Sequence, residues 1–293
     1  MAKLPDRIGP LTLQQQLGMG RQCQVWSAFD TSTGTQVAVK ILVPEYSRDR
    51  SQRRQLEHEL RVGQNLQHPN LIRVHRLSEY QGLFCLVMDL FQHPNLRRCG
   101  ASAAERERTR PKVVKILTGI AEALGHLHGL GWVHRDVKPA NVLVGPDGDV
   151  KVLDYAIAAQ PPGFLGKLLW TKKQAQGTPS YMAPEQIRGQ PPDFRSDVYS
   201  LGCVAYEMLA GAPPFTGSDQ NDLLGKHIYA NPPVVEAANR NVTPAASKLI
   251  RQMMAKKLAD RPATMQDVVR GLKTIRLFER DPGADSMPVE KHP

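Results

Sequence analysis

A ten-residue segment near the middle of the chain constrains its fold and chemistry more than any other feature. Residues 134–143 read HRDVKPANVL. Within them, the Asp136 carboxylate can accept a hydrogen bond from a hydroxyl, and Asn141 offers an amide oxygen to a hard cation. Lys138, between the two, can balance negative charge. A polar loop before a strand at 141–144 is the simpler interpretation, but these residue types would rarely fall in this order by chance.

Two glycines lie between predicted strands near the N-terminus. Residues 17–25 read LGMGRQCQV, and we expect strands at 11–13 and 24–29 on either side. Because Gly18 and Gly20 carry no side chain, backbone N–H groups there can approach phosphate oxygens closely. Taken alone, this pattern more often marks a tight hairpin, so its meaning depends on the other motifs.

A lysine and a glutamate are predicted to pair in the same region. Lys40 ends the apolar run QVAVK at 36–40, where a lysine by itself would extend into solvent. A charged helix is predicted at 51–67, and Glu59 lies within it. A buried Lys40–Glu59 pair would hold the ammonium group against the phosphates of a nucleotide.

Two further motifs follow the central segment. Asp154 comes after the short apolar run KVL at 151–153, where its carboxylate could chelate Mg²⁺. Residues 177–185 read GTPSYMAPE and close a long irregular segment of the kind that is usually functional. We expect Glu185 to pair with Arg261, which would be a packing contact.

Together these motifs resemble the signature set of the eukaryotic-type, or Hanks-type, serine/threonine protein kinase family. The resemblance covers roughly residues 8 to 278. It includes SDVYSLG at 196–202, where Asp197 would brace the backbone of the catalytic loop. The phrase YMAPEQ at 181–186 is similar to the bacterial members of the family.

The resemblance implies an α+β fold with the two lobes of a protein kinase. We expect a small antiparallel β-sheet lobe with one main helix at about 8–90, a larger and mostly helical lobe at about 92–278, and a hinge at 89–95. Residues 1–280 would form the kinase domain and 281–293 a disordered polar tail. Periodicity and proline positions predict further strands at 36–42, 71–77 and 83–90. They also predict helices at 113–130, 197–209, 244–258 and 265–278.

The resemblance also implies roles for single positions. ATP would be the phosphate donor, and Ser or Thr hydroxyls of protein substrates would be the acceptors. Asp136, Lys138, Lys40 and Glu59 would be catalytic. Asn141 and Asp154 would hold Mg²⁺, with Mn²⁺ as an alternative ion. The ATP-binding positions would be Gly18, Gly20, Val25, Ala38, Lys40, Met88, Asp89, Phe91 and Leu143, with Met88 as the gatekeeper.

Three positions would be regulatory. In the family, an arginine at the position of Arg135 often binds a phosphate on the activation loop. We expect autophosphorylation of Thr171 and pairing with Arg135; the alternative is that Thr171 is an ordinary loop residue. Thr178 is the weaker candidate for phosphorylation, because its family counterpart orients Asp136 and Lys138. A dimer through the small lobe, or through the apolar residues around 164–170, is a further expectation.

Three residues depart from the family pattern. Cys23 stands in place of a third glycine, Tyr155 in place of phenylalanine and Ala156 in place of glycine. A buried Tyr155 hydroxyl would need a partner, and Ala156 would be strained if its φ were positive. These departures leave open a pseudokinase, which would keep the fold without the chemistry. A small-molecule kinase is the other alternative, but such enzymes generally lack the segment at 178–185.

Composition narrows the class of partner and location. The net charge is +10, with 38 basic and 28 acidic residues, which favours acidic partners such as nucleotides or acidic peptides. No aromatic ladder accompanies the basic residues, so we expect no nucleic-acid partner. The four cysteines form no C-x-x-C pair, and no apolar run reaches the length of a membrane span. We therefore expect reduced thiols, no membrane span and a cytoplasmic location.

Overall fold

The structure is a computed structural model that describes residues 4–163, 166, 170–171 and 176–282. These residues divide into two compact units. The sheet unit runs to His93 and also contains Leu153–Ala158, whereas the helical unit comprises Pro94–Val152 and the chain from Ala159 onward. Most of the predicted tail, 283–293, lies outside the described residues.

An antiparallel sheet with the order β1-β2-β3-β4-β6-β5 forms most of the sheet unit. Its strands are β1 Arg7–Ile8, β2 Leu11–Met19, β3 Cys23–Asp30, β4 Thr35–Leu42, β5 Val74–Tyr80 and β6 Leu83–Asp89. On β4, the alternating side chains of Val37, Val39 and Ile41 pack in the apolar core on one face of the sheet. Ala38 and Lys40 therefore point to the other face.

Helix α1, Arg50–Gly63, packs in the same unit. The Asp49 side chain caps its N-terminus by accepting a hydrogen bond from the Ser51 N–H, and Leu56 and Val62 are buried. The helix ends at Gly63, four residues before the predicted end. A Cβ at Gly63 would lie 2.3 Å from a methyl carbon of Val74, so only glycine permits this close approach of helix and sheet.

Two long helices of the helical unit, Val113–Gly129 and Arg195–Ala210, are largely buried. Its helices are α2 Leu96–Cys99, α3 Ala103–Thr109, α4 Val113–Gly129, α5 Pro184–Ile187, α6 Arg195–Ala210, α7 Gln220–Tyr229, α8 Val235–Ala238, α9 Pro244–Met253 and α10 Met265–Thr274. Two short strands, β7 Val142–Val144 and β8 Val150–Val152, pair antiparallel. Helix α4 buries the apolar positions predicted from its periodicity, including Ile116, Ile120 and Leu124.

Several element boundaries differ from the predicted ones because tertiary contacts decide them. Helix α9 ends at Met253 because the chain must turn for Lys256 to donate to the carbonyl oxygen of His227 at 2.8 Å. Helix α10 ends at Thr274 because the residues after it are extended and pair with a distant part of the chain. The Leu277 carbonyl there accepts a hydrogen bond from the Thr243 N–H at 3.0 Å. Periodicity alone carries no information about such contacts.

No helix within the described residues is both long and apolar enough to cross a lipid bilayer.

Candidate active site

An ionic cluster in the sheet unit joins residues from three distant parts of the sequence. The Lys40 Nζ lies 2.7 Å from the Glu59 Oε2 and 3.6 Å from the Asp154 Oδ1. Lys40 is held by β4 and Glu59 by α1, and Asp154 lies on the segment Leu153–Ala158 that belongs to this unit. Glu59 is 3% exposed, so its charge depends on the lysine for compensation.

The charge of Lys40 is stabilised by this cluster. Burial alone would lower the pKa of Lys40, but the neighbouring Glu59 and Asp154 carboxylates outweigh it and raise the pKa above its ordinary value. The ammonium group is therefore held protonated, as a contact with phosphate oxygens would require.

The predicted adenine-binding side chains of the sheet unit share one face of the sheet. Directly opposed residues of antiparallel strands point to the same face, and the register pairs Val25 with Lys40 and Ala38 with Met88. This is the face opposite the apolar core. Asp89 ends β6, with its carboxylate 2.8 Å from the His75 Nε2.

The remaining predicted nucleotide-binding residues lie at the end of the sheet or in the other unit. Phe91 is half-buried beside His93 in the sheet unit, and Leu143 lies on β7 of the helical unit. Gly18 pairs with Val25, and the Gly20 N–H donates to the Cys23 carbonyl oxygen at 2.8 Å. Burial raises the pKa of the Cys23 thiol, which keeps it protonated.

A hydrogen-bonded cluster in the helical unit surrounds the Asp136 carboxylate. Its Oδ1 accepts from the Thr178 N–H at 3.0 Å and from the Thr178 hydroxyl at 2.8 Å. Its Oδ2 accepts from the Lys138 Nζ at 2.5 Å and from the Asn141 side-chain amide at 3.1 Å. The Lys138 Nζ also donates to the Thr178 hydroxyl oxygen at 2.8 Å. The carboxylate is thereby fixed in position and flanked by a cation.

A buried aspartate on α6 holds the backbone of this loop. Asp197 is fully buried, and its carboxylate accepts from the N–H groups of His134 at 2.8 Å and Arg135 at 2.9 Å. The His128 Nε2 lies 2.8 Å from the same carboxylate. Burial alone would raise the pKa of Asp197, but these hydrogen bonds and the His128 side chain lower it, so the carboxylate remains ionised.

Backbone strain is concentrated at two of the predicted site residues. Arg135 has φ 69° and Asp154 has φ 68°, and both lie in the left-handed region that non-glycine residues rarely adopt. The strain expected at Ala156 is absent, because the positive φ falls on Asp154 two residues earlier. The Ala156 N–H instead donates to the Asp154 Oδ1 at 3.3 Å. Alanine is therefore compatible with this position.

Direct contacts explain Tyr155, a departure from the family pattern, and confirm the predicted pair of Glu185 and Arg261. Tyr155 is 1% exposed, and its hydroxyl donates to the Ile72 carbonyl oxygen at 2.9 Å. Arg261 forms a buried bidentate pair with Glu185, with N–O distances of 2.7 and 2.9 Å. These contacts stabilise the fold, and none of the three side chains is one of the predicted catalytic residues.

The predicted regulatory residues are only partly described. Thr171 is exposed, and the preceding Trp170 donates from its indole N–H to the Gly189 carbonyl oxygen at 3.0 Å. The Arg135 side chain is half-buried, which lowers its pKa from the ordinary value. Of the loop predicted to contribute to a dimer, residues 164, 165 and 167–169 lie outside the described residues.

Two positioning residues were missed by the sequence interpretation. His128 lies in the last turn of α4 and contacts Asp197, with no local motif to mark it. Gln186 donates to the Arg135 carbonyl oxygen at 2.9 Å, while its side-chain oxygen accepts from the Ala183 N–H. A glutamine three residues after the start of a helix indicates at most the contact with the Ala183 N–H, and no local motif marks the contact of Gln186 with Arg135.

Comparison with known proteins identifies the family. The protein kinase domain model matches residues 11–270. The serine/threonine-protein kinase PknH of Mycobacterium tuberculosis is 33% identical over 271 residues, covering 91% of this chain and 42% of its own length. A probable serine/threonine-protein kinase of Streptomyces coelicolor is 33% identical over 257 residues, covering 86% of this chain and 38% of its own length. The chain thus spans less than half the length of these relatives.

Solved structures agree with this assignment. The kinase domain of PknI from Mycobacterium tuberculosis matches with a TM-score of 0.67 and 26% identity, over 91% of this chain and 96% of that one. These matches, with the two clusters described above, show that the chain belongs to the protein kinase domain family, in its bacterial Hanks-type serine/threonine branch.

Proposed function

We propose that this chain transfers the γ-phosphate of ATP to serine and threonine hydroxyls of protein substrates. The observation that carries the proposal is the Asp136 carboxylate, held by Thr178, Lys138 and Asn141. A fixed carboxylate beside a lysine can orient a hydroxyl and balance charge on a phosphoryl group.

The cluster also suggests how the substrate hydroxyl is accommodated. The Lys138 ammonium bonds both Asp136 and the Thr178 hydroxyl. If Lys138 turns toward the transferred phosphoryl group, it frees a lone pair on the Asp136 Oδ2 for the substrate hydroxyl. Thr178 continues to hold the Oδ1, so the carboxylate keeps its orientation.

Asn141 and Asp154 are the proposed ligands of Mg²⁺. The Asn141 amide nitrogen is occupied by the carbonyl and carboxylate of Asp136, and its amide oxygen accepts no hydrogen bond from any described residue. The Asp154 carboxylate is 36% exposed. Both groups present the oxygen ligands that hard cations prefer. When bound, Mg²⁺ would neutralise charge on the phosphates, as Mn²⁺ could.

Lys40 and the shared sheet face are the proposed nucleotide contacts. Glu59 fixes the Lys40 ammonium, which would pair with the α- and β-phosphates. Val25, Ala38 and Met88 lie on the same sheet face as Lys40. With Leu143 they would contact adenine, while Asp89 and Phe91 would bond its edge through the backbone. Gly18 and Gly20 would admit the phosphates.

The preference for Ser and Thr over Tyr is supported by the direct contact between Lys138 and Thr178 at 2.8 Å. This pair matches the serine/threonine pattern. The names of the relatives agree with it.

Autophosphorylation of the exposed Thr171 is a further part of the proposal, with Arg135 as the partner of the phosphate. The protein would be incubated with Mg-ATP, digested and examined by mass spectrometry. A phosphate on Thr171 that is absent from the Asp136→Asn variant is the expected result. An unmodified Thr171 in the active protein would refute this part.

A dimer would let one copy reach the loop of another, and mixing active and Asp136→Asn copies would test transfer between chains.

Substitution of Asp136 tests the proposed transfer itself. In Asp136→Asn, the side chain keeps its size but loses its charge, so kcat for transfer to a Ser/Thr peptide mixture should fall by roughly 10²- to 10⁴-fold. Asp147→Asn is the matched control, because Asp147 is exposed in the turn between β7 and β8. Comparable rates for the two variants would contradict the role of Asp136.

A further inference from the structure

A basic cleft lies beside the Asp136 cluster, within the helical unit. It encloses about 490 Å³, its open mouth included. Leu96, Arg97, Arg106, Arg110, Pro139 and Glu207 are among its lining residues. Its wall thus carries three guanidinium groups and one carboxylate.

The cleft adjoins the group proposed to receive the substrate hydroxyl. Pro139 follows Asp136 by three residues, which limits their separation to ~10 Å. On another wall, the Glu207 carboxylate accepts a hydrogen bond from the Tyr181 hydroxyl at 2.6 Å. The Tyr181 N–H donates to the carbonyl of Thr178, whose side chain contacts Asp136. A continuous set of contacts therefore leads from Asp136 to the cleft.

The three arginines differ in how far the protein already engages them. Arg106 donates to the Gly100 carbonyl at 2.9 Å, and Arg110 pairs with Glu107. The Arg97 side chain is exposed and forms no hydrogen bond or ion pair with any described residue. Its guanidinium is the group most available to a ligand.

The position of Arg97 relative to the transfer site is supported independently. Burial and the Glu207 carboxylate raise the pKa of the Tyr181 hydroxyl, and the Arg97 charge opposes that rise. Arg97 therefore lies within electrostatic range of Tyr181. Among the described residues that line the cleft, three arginines face one carboxylate, that of Glu207, so an incoming anion meets a net positive surface.

We propose that this cleft binds an acidic side chain of the protein substrate, two to four residues from the phosphorylated Ser or Thr, with Arg97 as its main partner. The inference rests on the proposed function, because the acceptor hydroxyl must lie at Asp136. An extended peptide advances about 3.3 Å per residue, so two to four residues span the distance from Asp136 to the cleft. Arginine suits the purpose because its planar fork can bind a carboxylate through two hydrogen bonds.

The test compares synthetic peptides with one Ser acceptor and Ala, Glu or Lys at single positions up to four residues on either side. For the unmodified protein, kcat/KM should be roughly three- to tenfold higher for Glu than for Ala at one or more of these positions, and lower for Lys. Arg97→Glu should abolish the preference for Glu and favour Lys.

Arg98→Glu provides the matched control. Arg98 is exposed on the same helix but does not line the cleft. Both variants replace an arginine with a glutamate, so they have the same net charge. The control should keep the preference for Glu. Equal kcat/KM for Glu, Ala and Lys peptides in the unmodified protein, or a preference that survives Arg97→Glu, would overturn the inference while leaving phosphate transfer intact. Failure to phosphorylate any peptide would contradict the proposed function, and this inference with it.

Discussion

The two clusters of candidate functional residues, one in each unit, differ in how they are built. In the sheet unit, Lys40, Glu59 and Asp154 come from three separated segments and are held together by opposite charges. In the helical unit, Asp136, Lys138 and Asn141 lie within six consecutive residues; hydrogen bonds connect them to one another and to the distant Thr178, and Asp136 and Lys138 also form an ion pair. Removal of the Lys40 charge leaves the buried Glu59 carboxylate uncompensated, whereas the second cluster retains several donors after any single loss.

The largest difference between the clusters should follow substitution of Lys40. Lys40→Met removes the only described cation paired with Glu59, so phosphate transfer should fall by roughly 10²-fold or more. The same change should destabilise the fold by about 3 kcal/mol, unless Glu59 takes up a proton. Rates with labelled ATP and denaturant unfolding would measure both effects. Lys248→Met, at an exposed lysine, is the control; equal rates for the two variants would remove Lys40 from the site.

A smaller effect is expected in the hydrogen-bonded cluster. Thr178→Ala removes the hydroxyl that joins Asp136 and Lys138, while the Thr178 N–H continues to bond the Asp136 Oδ1. We expect kcat/KM to fall about tenfold, because the two hydrogen bonds of this hydroxyl with charged partners are lost. Thr178→Ser keeps the hydroxyl and should retain most of the activity. If the alanine and serine variants have the same kcat/KM, the hydroxyl has no orienting role.

The last prediction concerns stability, not rate, and a buried histidine of the helical unit. His227 is fully buried beside the Tyr199 hydroxyl, which lies 2.9 Å from its Nδ1. Burial and then the Lys256 charge lower the pKa of His227 to about 4. The unfolded chain, with a pKa near 6.5, binds the proton first as the pH falls. This residue should therefore lower the free energy of unfolding by about 2 kcal/mol between pH 7.5 and pH 5.

Denaturant titrations at the two pH values would test this dependence. His227→Phe should lose that part of the pH dependence, whatever its absolute stability. His93→Phe, at an exposed histidine, should keep it. A pH dependence that is unchanged in His227→Phe would show that His227 does not titrate as described.

The sequence was most informative where the site is local. The residues around Asp136 are close in the chain, so their order alone indicated a common role. The Lys40–Glu59 pair was predicted from a lysine at the end of an apolar strand and a glutamate in the charged helix that follows, although the spacing of residues 40 and 59 does not itself require contact. The contact of His128 with Asp197 was missed, because it depends on the packing of α4 against α6.

For the fold too, local patterns were predicted well and the effects of distant contacts were not. The strong periodicity of α4 predicted its limits to within one residue. The ends of α1, α9 and α10 were placed too late, because Gly63, Lys256 and Leu277 make contacts with distant parts of the chain. Hydrophobic patterns report which face of an element is buried, but they do not report where a distant partner ends it.

The most direct measurement of the central claim is the chemical identity of the product. Labelled Mg-ATP would be incubated with a peptide mixture containing Ser, Thr and Tyr acceptors, and the products hydrolysed to phosphoamino acids. Transfer to serine and threonine hydroxyls predicts label in phosphoserine and phosphothreonine. Label confined to phosphotyrosine, or no label in any peptide, would contradict it.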